Sequence, residues 1–299
     1  MAVRHPRGLT SRPPRHFCSR LRPIAVAGAT EHPHPTLIGD IMTSTIAGRT
    51  VLITGAAERA GRVFARRFAA AGAAVVVNHW KQAELAEETV ELIRSAGGEA
   101  IAVEADVSNT ADARRLVDQA AAWRGDVSVL IHNASSLRAK EFEDVTEDDF
   151  DASFGINIRG PFFLSQAAAA VMKKQGHGRI IALVGNSTNE AWPNLIPHGL
   201  SKTALIRLME QLAVALSPTV QCNAVAPTQF FRSDDGTNDA LRRYRGEPLV
   251  DGDTYRVGTR YEFRNGDADD VAETLLFLST CSPYLNGTVI RLDGGKALY

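Results

Sequence analysis

The sequence predicts one α/β domain built on a doubly wound parallel sheet, and three observations carry that expectation. From residue 50 onward, short runs rich in β-branched residues alternate with longer Ala-rich stretches of helical period. The short runs are apolar almost throughout, as strands covered on both faces are. Alternation of strand and helix in turn implies right-handed crossovers between parallel neighbours. With 299 residues, 44% of them hydrophobic, the chain can bury one sizeable core.

The strand candidates are, in order, "TVLIT" from Thr50, "AVVVN" from Ala74, "EAIAVEAD" from Glu99, "VSVLIHN" from Val127, "RIIALVG" from Arg179, "VQCNAVAP" from Val220 and "TVIRLD" from Thr288. Helical period falls on 61–71, 82–96, 109–123, 146–174, 199–216 and 268–279. Together these predict a sheet of about seven strands with helices on both faces, spanning residues 42–299. The rhythm breaks at 228–267, where Asp, Gly, Arg and aromatic residues follow no clear period. An irregular stretch that long inside a compact domain is usually a lid or a flexible segment.

Residues 1–41 hold six of the thirteen prolines and four of the eight histidines, and bury too little to offset the entropy of ordering, so they read as a disordered extension. The segment lacks the continuous apolar stretch of a secretory signal, while its Arg-rich, acid-poor composition also fits an organelle transit peptide. The preferred expectation is that Met42, opening "MTSTIAGRTVLITGAA", begins the working protein. Six arginines against Glu31 and Asp40 give the first 41 residues +4, leaving −5 on residues 42–299 out of a net −1. An acidic body argues against nucleic acid or an anionic membrane as a main partner. No run approaches the roughly 18 apolar residues of a membrane helix. Cys18, Cys222 and Cys281 show no short paired spacing, which speaks against a disulfide framework or a zinc site and makes a reducing cytoplasm the default.

The first strand runs into a turn of small residues, Thr54, Gly55, Ala56, Ala57, Glu58, Arg59, Ala60, Gly61, and then a helix. Small residues let backbone approach a ligand, and the amides of a helix start attract an anion. In a βαβ series this is where a dinucleotide pyrophosphate binds. A lone glycine-containing turn could equally serve only to join strand to helix.

Taken as a set, the motifs resemble those of short-chain dehydrogenases/reductases over roughly residues 48–296. "TGAAERAG" resembles the family's phosphate turn, and "EADVSN", "IHNASS", "FGINIRGPF", "GRIIALVG", "NAVAP" and "YLNGTVIRLDGG" follow in the family's order. Arg59 in place of a middle glycine, together with "NASS", looks most like the pteridine reductase branch. The resemblance implies a single Rossmann domain, a nicotinamide cofactor and a homodimer or homotetramer built on helices 146–174 and 199–216. It also implies that Gly55, Arg59, Ala60 and Gly61 cradle the pyrophosphate, that Asp106 and Val107 border the adenine, and that Asn133 and Ala134 border the adjoining ribose. Pro227 and Lys202 are implied at the nicotinamide end. NAD users in such a family end the second strand with a carboxylate that binds the ribose 2′-hydroxyl. Here that strand ends "VVVNHWKQ", with no carboxylate before Glu84. Asn78, His79, Trp80, Lys81 and Arg59 form the cofactor-facing set instead, and NADP is the expected cofactor, unless Arg59 and Lys81 are only solvated surface charges.

The catalytic end departs from the resemblance. The family's usual tetrad is Asn, Ser, Tyr and Lys; Asn157 and Lys202 match, but His198 stands at the tyrosine position and Gly185, thirteen residues earlier, at the serine position. Ser187 either bends back to serve or caps the strand end as an ordinary turn serine. His198 and Lys202 are four apart on a helix and share one face. An imidazole of ordinary pKa about 6.5 suits acid/base work, although a lysine one turn away favours its neutral form. In 228–267, Phe230, Phe231, Tyr244, Tyr255, Tyr261 and Phe263 interleave with seven arginines, which suits a flat, polar or anionic small-molecule substrate or, equally, a solvated basic loop. The leading expectation is an NADP(H)-dependent reductase in which His198 donates a proton to a carbonyl, imine or pterin-like substrate. The alternatives are a non-redox reaction (dehydration, isomerisation or cyclisation) steered by His198, or a nucleotide-sensing module without catalysis.

Overall fold

The computed structural model describes residues 45–228, 254–257, 261–264, 266–295 and 298. The extension 1–41 and most of the stretch 228–267 therefore lie outside the described residues. In chain order the elements are β1 (Thr50–Ile53), α1 (Arg59–Ala70), β2 (Ala74–His79), α2 (Ala83–Ser95), β3 (Glu99–Glu104), α3 (Thr110–Arg124) and β4 (Val129–His132). There follow α4 (Glu147–Phe154), α5 (Gly160–Gln175), β5 (Gly178–Leu183), α6 (Ile196–Ala215) and β6 (Val220–Pro227). The hairpin β7 (Thr254–Val257) and β8 (Tyr261–Arg264), α7 (Ala268–Thr280) and β9 (Val289–Leu292) complete the described chain.

Seven strands make one parallel sheet in the order β3-β2-β1-β4-β5-β6-β9, as the apolar runs predict. Alternate residues of each strand serve opposite faces. Val51, Ile53 and Val77 pack with Phe64 and Phe68 of α1, Val90 and Ile93 of α2, and Val271, Leu275 and Leu278 of α7. Leu52, Val76, Leu130 and Ile180 pack with Leu116 of α3, Leu164 and Met172 of α5, and Leu205 and Met209 of α6. Phe64 and Phe68 have no exposed surface, and burying rings of that size stabilises the fold by about 1.5–3 kcal/mol each. The strand order reverses between β1 and β4, and the loops leaving those two strands meet there, Thr54 and Gly55 against Asn133 and Ala134.

Three local features differ from the expectation. The predicted helix 146–174 is two helices joined by a π-helical turn, Gly155–Arg159, which carries Asn157. Sequence period does not reveal one extra residue in a turn. Helix α6 begins at Ile196, three residues earlier than predicted, because Pro197 in the first turn has its φ preset and needs no donor there. His198 thus falls in the first turn of α6 and Lys202 one turn further on. Residues 254–257 and 261–264 pair as antiparallel strands where no regular structure was expected, since runs of four are too short to show a period.

The turn after β1 is held by close approach. A Cβ on Gly61 would lie 2.2 Å from the Gly55 carbonyl oxygen and 2.8 Å from Asn133 Nδ2, and Gly55 itself has φ +60. Gly61→Ala should therefore lower stability by about 1–3 kcal/mol, read as a shift of the thermal midpoint, because a backbone oxygen has to move. An unchanged midpoint would refute the close approach.

Candidate active site

A cleft of about 870 Å³ lies at the C-terminal ends of β1, β2, β4, β5 and β6. At one end sits the turn 55–61 and at the other His198, Lys202 and Ser187.

Side chains of the neighbouring loops build the turn end. Thr54 Oγ1 accepts from the amides of Asn133 and Ala134, both at 3.0 Å, and Asn133 Nδ2 donates to the carbonyls of Thr54 (2.9 Å) and Gly55 (2.8 Å). Asn78 Oδ1 accepts from the Gly55 amide at 3.2 Å while its Nδ2 donates to the carbonyls of His79, Val103 and Ala105. Its donors are committed to backbone, so Asn78 shapes the turn instead of offering an amide to a ligand. His79 is buried, accepts from the Gln82 amide at Nδ1 (3.4 Å) and does not line the cleft; burial holds its pKa below the ordinary value against the opposing pull of Glu104 and Glu87. Lys81 lies over the Trp80 ring, 5.1 Å from its centroid, and Trp80, not Lys81, lines the cleft. Arg59, with φ +53, Ala60 and Gly61 line it, as do Asp106, Val107, Ala134 and Pro227. Glu58 is held to one side by Gln82 Nε2 at 2.7 Å. Small residues, inward-turned backbone and the first amides of α1 fit an extended dinucleotide with its pyrophosphate at the helix start.

The far end depends on Ser136, which sequence reasoning missed. Asn157 Oδ1 accepts from the Ser136 amide (3.0 Å), and Asn157 Nδ2 donates to Ser136 O (3.3 Å) and Ser201 Oγ (2.9 Å). Ser201 Oγ donates to the His198 carbonyl (2.8 Å), and His198 Nδ1 lies 2.9 Å from Ser136 O. A carbonyl only accepts, so Nδ1 carries the hydrogen and Nε2 keeps its lone pair. Burial and then the charge of Lys202 lower the His198 pKa to about 4, outweighing the Ser136 hydrogen bond that raises it. At neutral pH the ring is an uncharged acceptor, which counts against the expected proton-donating imidazolium.

Lys202 is buried, donates to the Leu183 carbonyl at 2.7 Å, and its pKa is pushed down to about 8 by burial. Its charge also reaches His132, which burial chiefly holds at about 3; His132 Nε2 pairs with Ser165 Oγ at 2.9 Å and its Nδ1 has no partner among the described residues. Gly185 has φ +84, a conformation a serine adopts only with strain. Two residues on, Ser187 lies in a short 3₁₀ turn; its hydroxyl is buried, has no hydrogen-bond partner among the described residues, and belongs to a residue of the cleft wall. Thr228, after Pro227, lines the same wall.

A family model described as short chain dehydrogenase matches residues 49–234, more than half of the chain. The chain belongs to the short-chain dehydrogenase family. It is 32% identical over 256 residues to an uncharacterized oxidoreductase of Thermotoga maritima, spanning 83% of this chain and 97% of the relative. The L-rhamnose 1-dehydrogenase (NAD(P)(+)) of Azotobacter vinelandii is 34% identical over 257 residues, 83% of this chain and 96% of that one. A solved short chain dehydrogenase from Burkholderia cenocepacia in complex with NADP matches with a TM-score of 0.71 at 31% identity, covering 85% of this chain and 99% of that one.

In this short-chain dehydrogenase, Ser136 and Ser201, bonded to Asn157 and His198, and Trp192, in the cleft wall, join the residues singled out by sequence. Ser136 was visible as the second serine of "NASS", but nothing in the motif says that its carbonyl meets residue 198. An NMR titration should place the His198 midpoint near 4 with Nε2 unprotonated at pH 7. Because the folded value lies below the ordinary 6.5, unfolding free energy should fall as pH drops from 6.5 toward 4, and His198→Gln should flatten that slope. A midpoint at or above 6.5 would sink the assignment.

Proposed function

We propose that the chain is an NADP(H)-dependent oxidoreductase acting on the hydroxyl or carbonyl of a small molecule, with His198 and Ser187 in the roles usually taken by tyrosine and serine. The observation that carries this reading is that the turn 55–61 and the His198, Lys202 and Ser187 cluster line one continuous cleft. Bound there, a nicotinamide would supply or accept hydride. His198 Nε2 accepts a hydrogen bond from the substrate hydroxyl, while Ser187 Oγ, without a hydrogen-bond partner among the described residues, holds the same oxygen. Lys202 places a buried positive charge where negative charge develops on that oxygen, and charge in a water-poor site acts strongly. At neutral pH His198 Nε2 is available to accept a proton from an alcohol, whereas giving one to a ketone needs an imidazolium that burial and Lys202 disfavour. The Asn157 and Ser136 network holds the imidazole in that tautomer.

Arg59 at the cleft, the absence of a carboxylate from β2, and the NADP held by the solved relative support NADP over NAD. The pteridine reductase-like branch rests on Arg59 and "NASS". Phe150, exposed and stacked on Phe154 at 4.4 Å, and exposed Phe162 support self-association through α4 and α5 as a homodimer or homotetramer. Sedimentation should show a smaller species for Phe150→Lys; a monomeric parent chain refutes the assembly.

Calorimetry should show NADP binding more tightly than NAD. Arg59→Ala should weaken NADP about tenfold, the loss of one charge-assisted contact, and leave NAD unchanged. Purified protein should then reduce NADP with neutral alcohols. Failure to bind either dinucleotide removes the proposal.

A further inference from the structure

The segment between β5 and α6 fixes an aromatic ring beside the reacting end of the cleft. Trp192 donates its indole N–H to Glu190 Oε2 at 2.9 Å, and Glu190 Oε1 accepts from Asn186 Nδ2. Asn186 opens the short turn that carries Ser187, so a single carboxylate ties the indole to the turn of the orphan hydroxyl. The same segment is tied to the opposite wall, where the Lys140 amide donates to the Asn194 carbonyl at 2.9 Å, and it closes on itself through the Leu195 amide and the Trp192 carbonyl, also 2.9 Å. An indole held at both its edge and its backbone loses little freedom when a ligand lands on it.

Trp192 lines the cleft together with Leu137 and Ala139. Among the described lining residues, Glu58, Arg59 and Asp106 belong to the dinucleotide end, and Lys202 is the one charged side chain at the reacting end. Among the described residues the walls there are thus aromatic and aliphatic, with hydroxyl and imidazole groups at the back. An anion would gain from Lys202 but would lose its water against an indole and two alkyl groups, a costly exchange. An uncharged ring loses water only from its apolar face, which stacks on the indole, and keeps an edge hydroxyl for Ser187 Oγ and His198 Nε2.

We propose that Trp192, anchored by Glu190, is the platform that selects an uncharged ring-bearing alcohol, alicyclic or sugar-like, over open-chain and anionic alcohols. The proposal rests on the oxidoreductase reading of the same cleft, and two independent readouts separate them. In the first, the indole N–H resonance of Trp192, assigned by its loss in Trp192→Phe, is followed while cyclohexanol, a hexopyranose, 2-hexanol or cyclohexanecarboxylate is added to the NADP-loaded protein. The two neutral rings should shift it at concentrations at least about tenfold lower than the other two. In the second, Trp192→Ala should raise KM for the preferred ring alcohol about tenfold with kcat nearly unchanged and leave 2-hexanol unaffected. Trp192→Phe should restore most of the difference, and Glu190→Gln, which loosens the indole without removing it, should lie between. Equal loss for ring and chain, or an equal resonance shift by the carboxylate, overturns the platform while leaving the oxidoreductase reading intact. A ring-specific shift without turnover of any alcohol keeps the platform and overturns that reading.

Discussion

The close approach of the β1 and β4 loops at the point where strand order reverses is the constraint on which the rest of the site depends. Gly61 lies against the Gly55 carbonyl with no room for a Cβ, and Thr54 Oγ1 accepts the amides of Asn133 and Ala134. Those bonds do two things at once. They turn the backbone of 54–61 toward the cleft, and they fix the path of the chain leaving β4. Three residues beyond Asn133, that path presents the Ser136 carbonyl to His198 and the Ser136 amide to Asn157. The form of the turn 54–61 and the orientation of the imidazole at the far end both follow from this one contact between loops.

Electrostatics at the reacting end follow from burial. Lys202 lies inside the protein, its ammonium on the Leu183 carbonyl, with no salt-bridge partner among the described residues. A buried cation of that kind is costly, and its pKa falls to about 8 in response. The same charge, added to burial, keeps His198 and His132 neutral. With both imidazoles neutral, the positive charge of this cluster at neutral pH belongs to the lysine. Exchanging a phenol for an imidazole at residue 198 would not preserve the direction of proton transfer by itself. A phenol carries its proton until well above neutral pH, whereas this ring has shed its second proton already at about pH 4.

Much of this was legible in the chain, and the illegible part has identifiable causes. The seven apolar runs reported all seven strands of the parallel sheet because strands covered on both faces are mostly apolar. The order of motifs marked Asn157, His198 and Lys202 as a group. Asn78 and Ser187 show where such reading stops: residue type announces a hydrogen-bonding capacity, but only neighbours decide where it is used. Asn78 expends its amide on three carbonyls, and Ser187 finds no hydrogen-bond partner among the described residues. Lys81 likewise supplies a charge at an apt place in the sequence, yet its positive φ turns it onto Trp80.

By itself, the amino-acid sequence determined the layered α/β architecture, the glycines of the turn after β1 and the pairing of residues 198 and 202 on one helix face. These are local properties, set by period, backbone sterics and spacing. Tertiary structure alone decided the strand order, the tautomer and charge of His198, the burial of a Ser187 hydroxyl that has no hydrogen-bond partner among the described residues, and the locking of Trp192 by Glu190. Each of those depends on a group distant along the chain or on the dielectric around it. A proton's location is a property of its surroundings, and the surroundings exist only once the chain has folded.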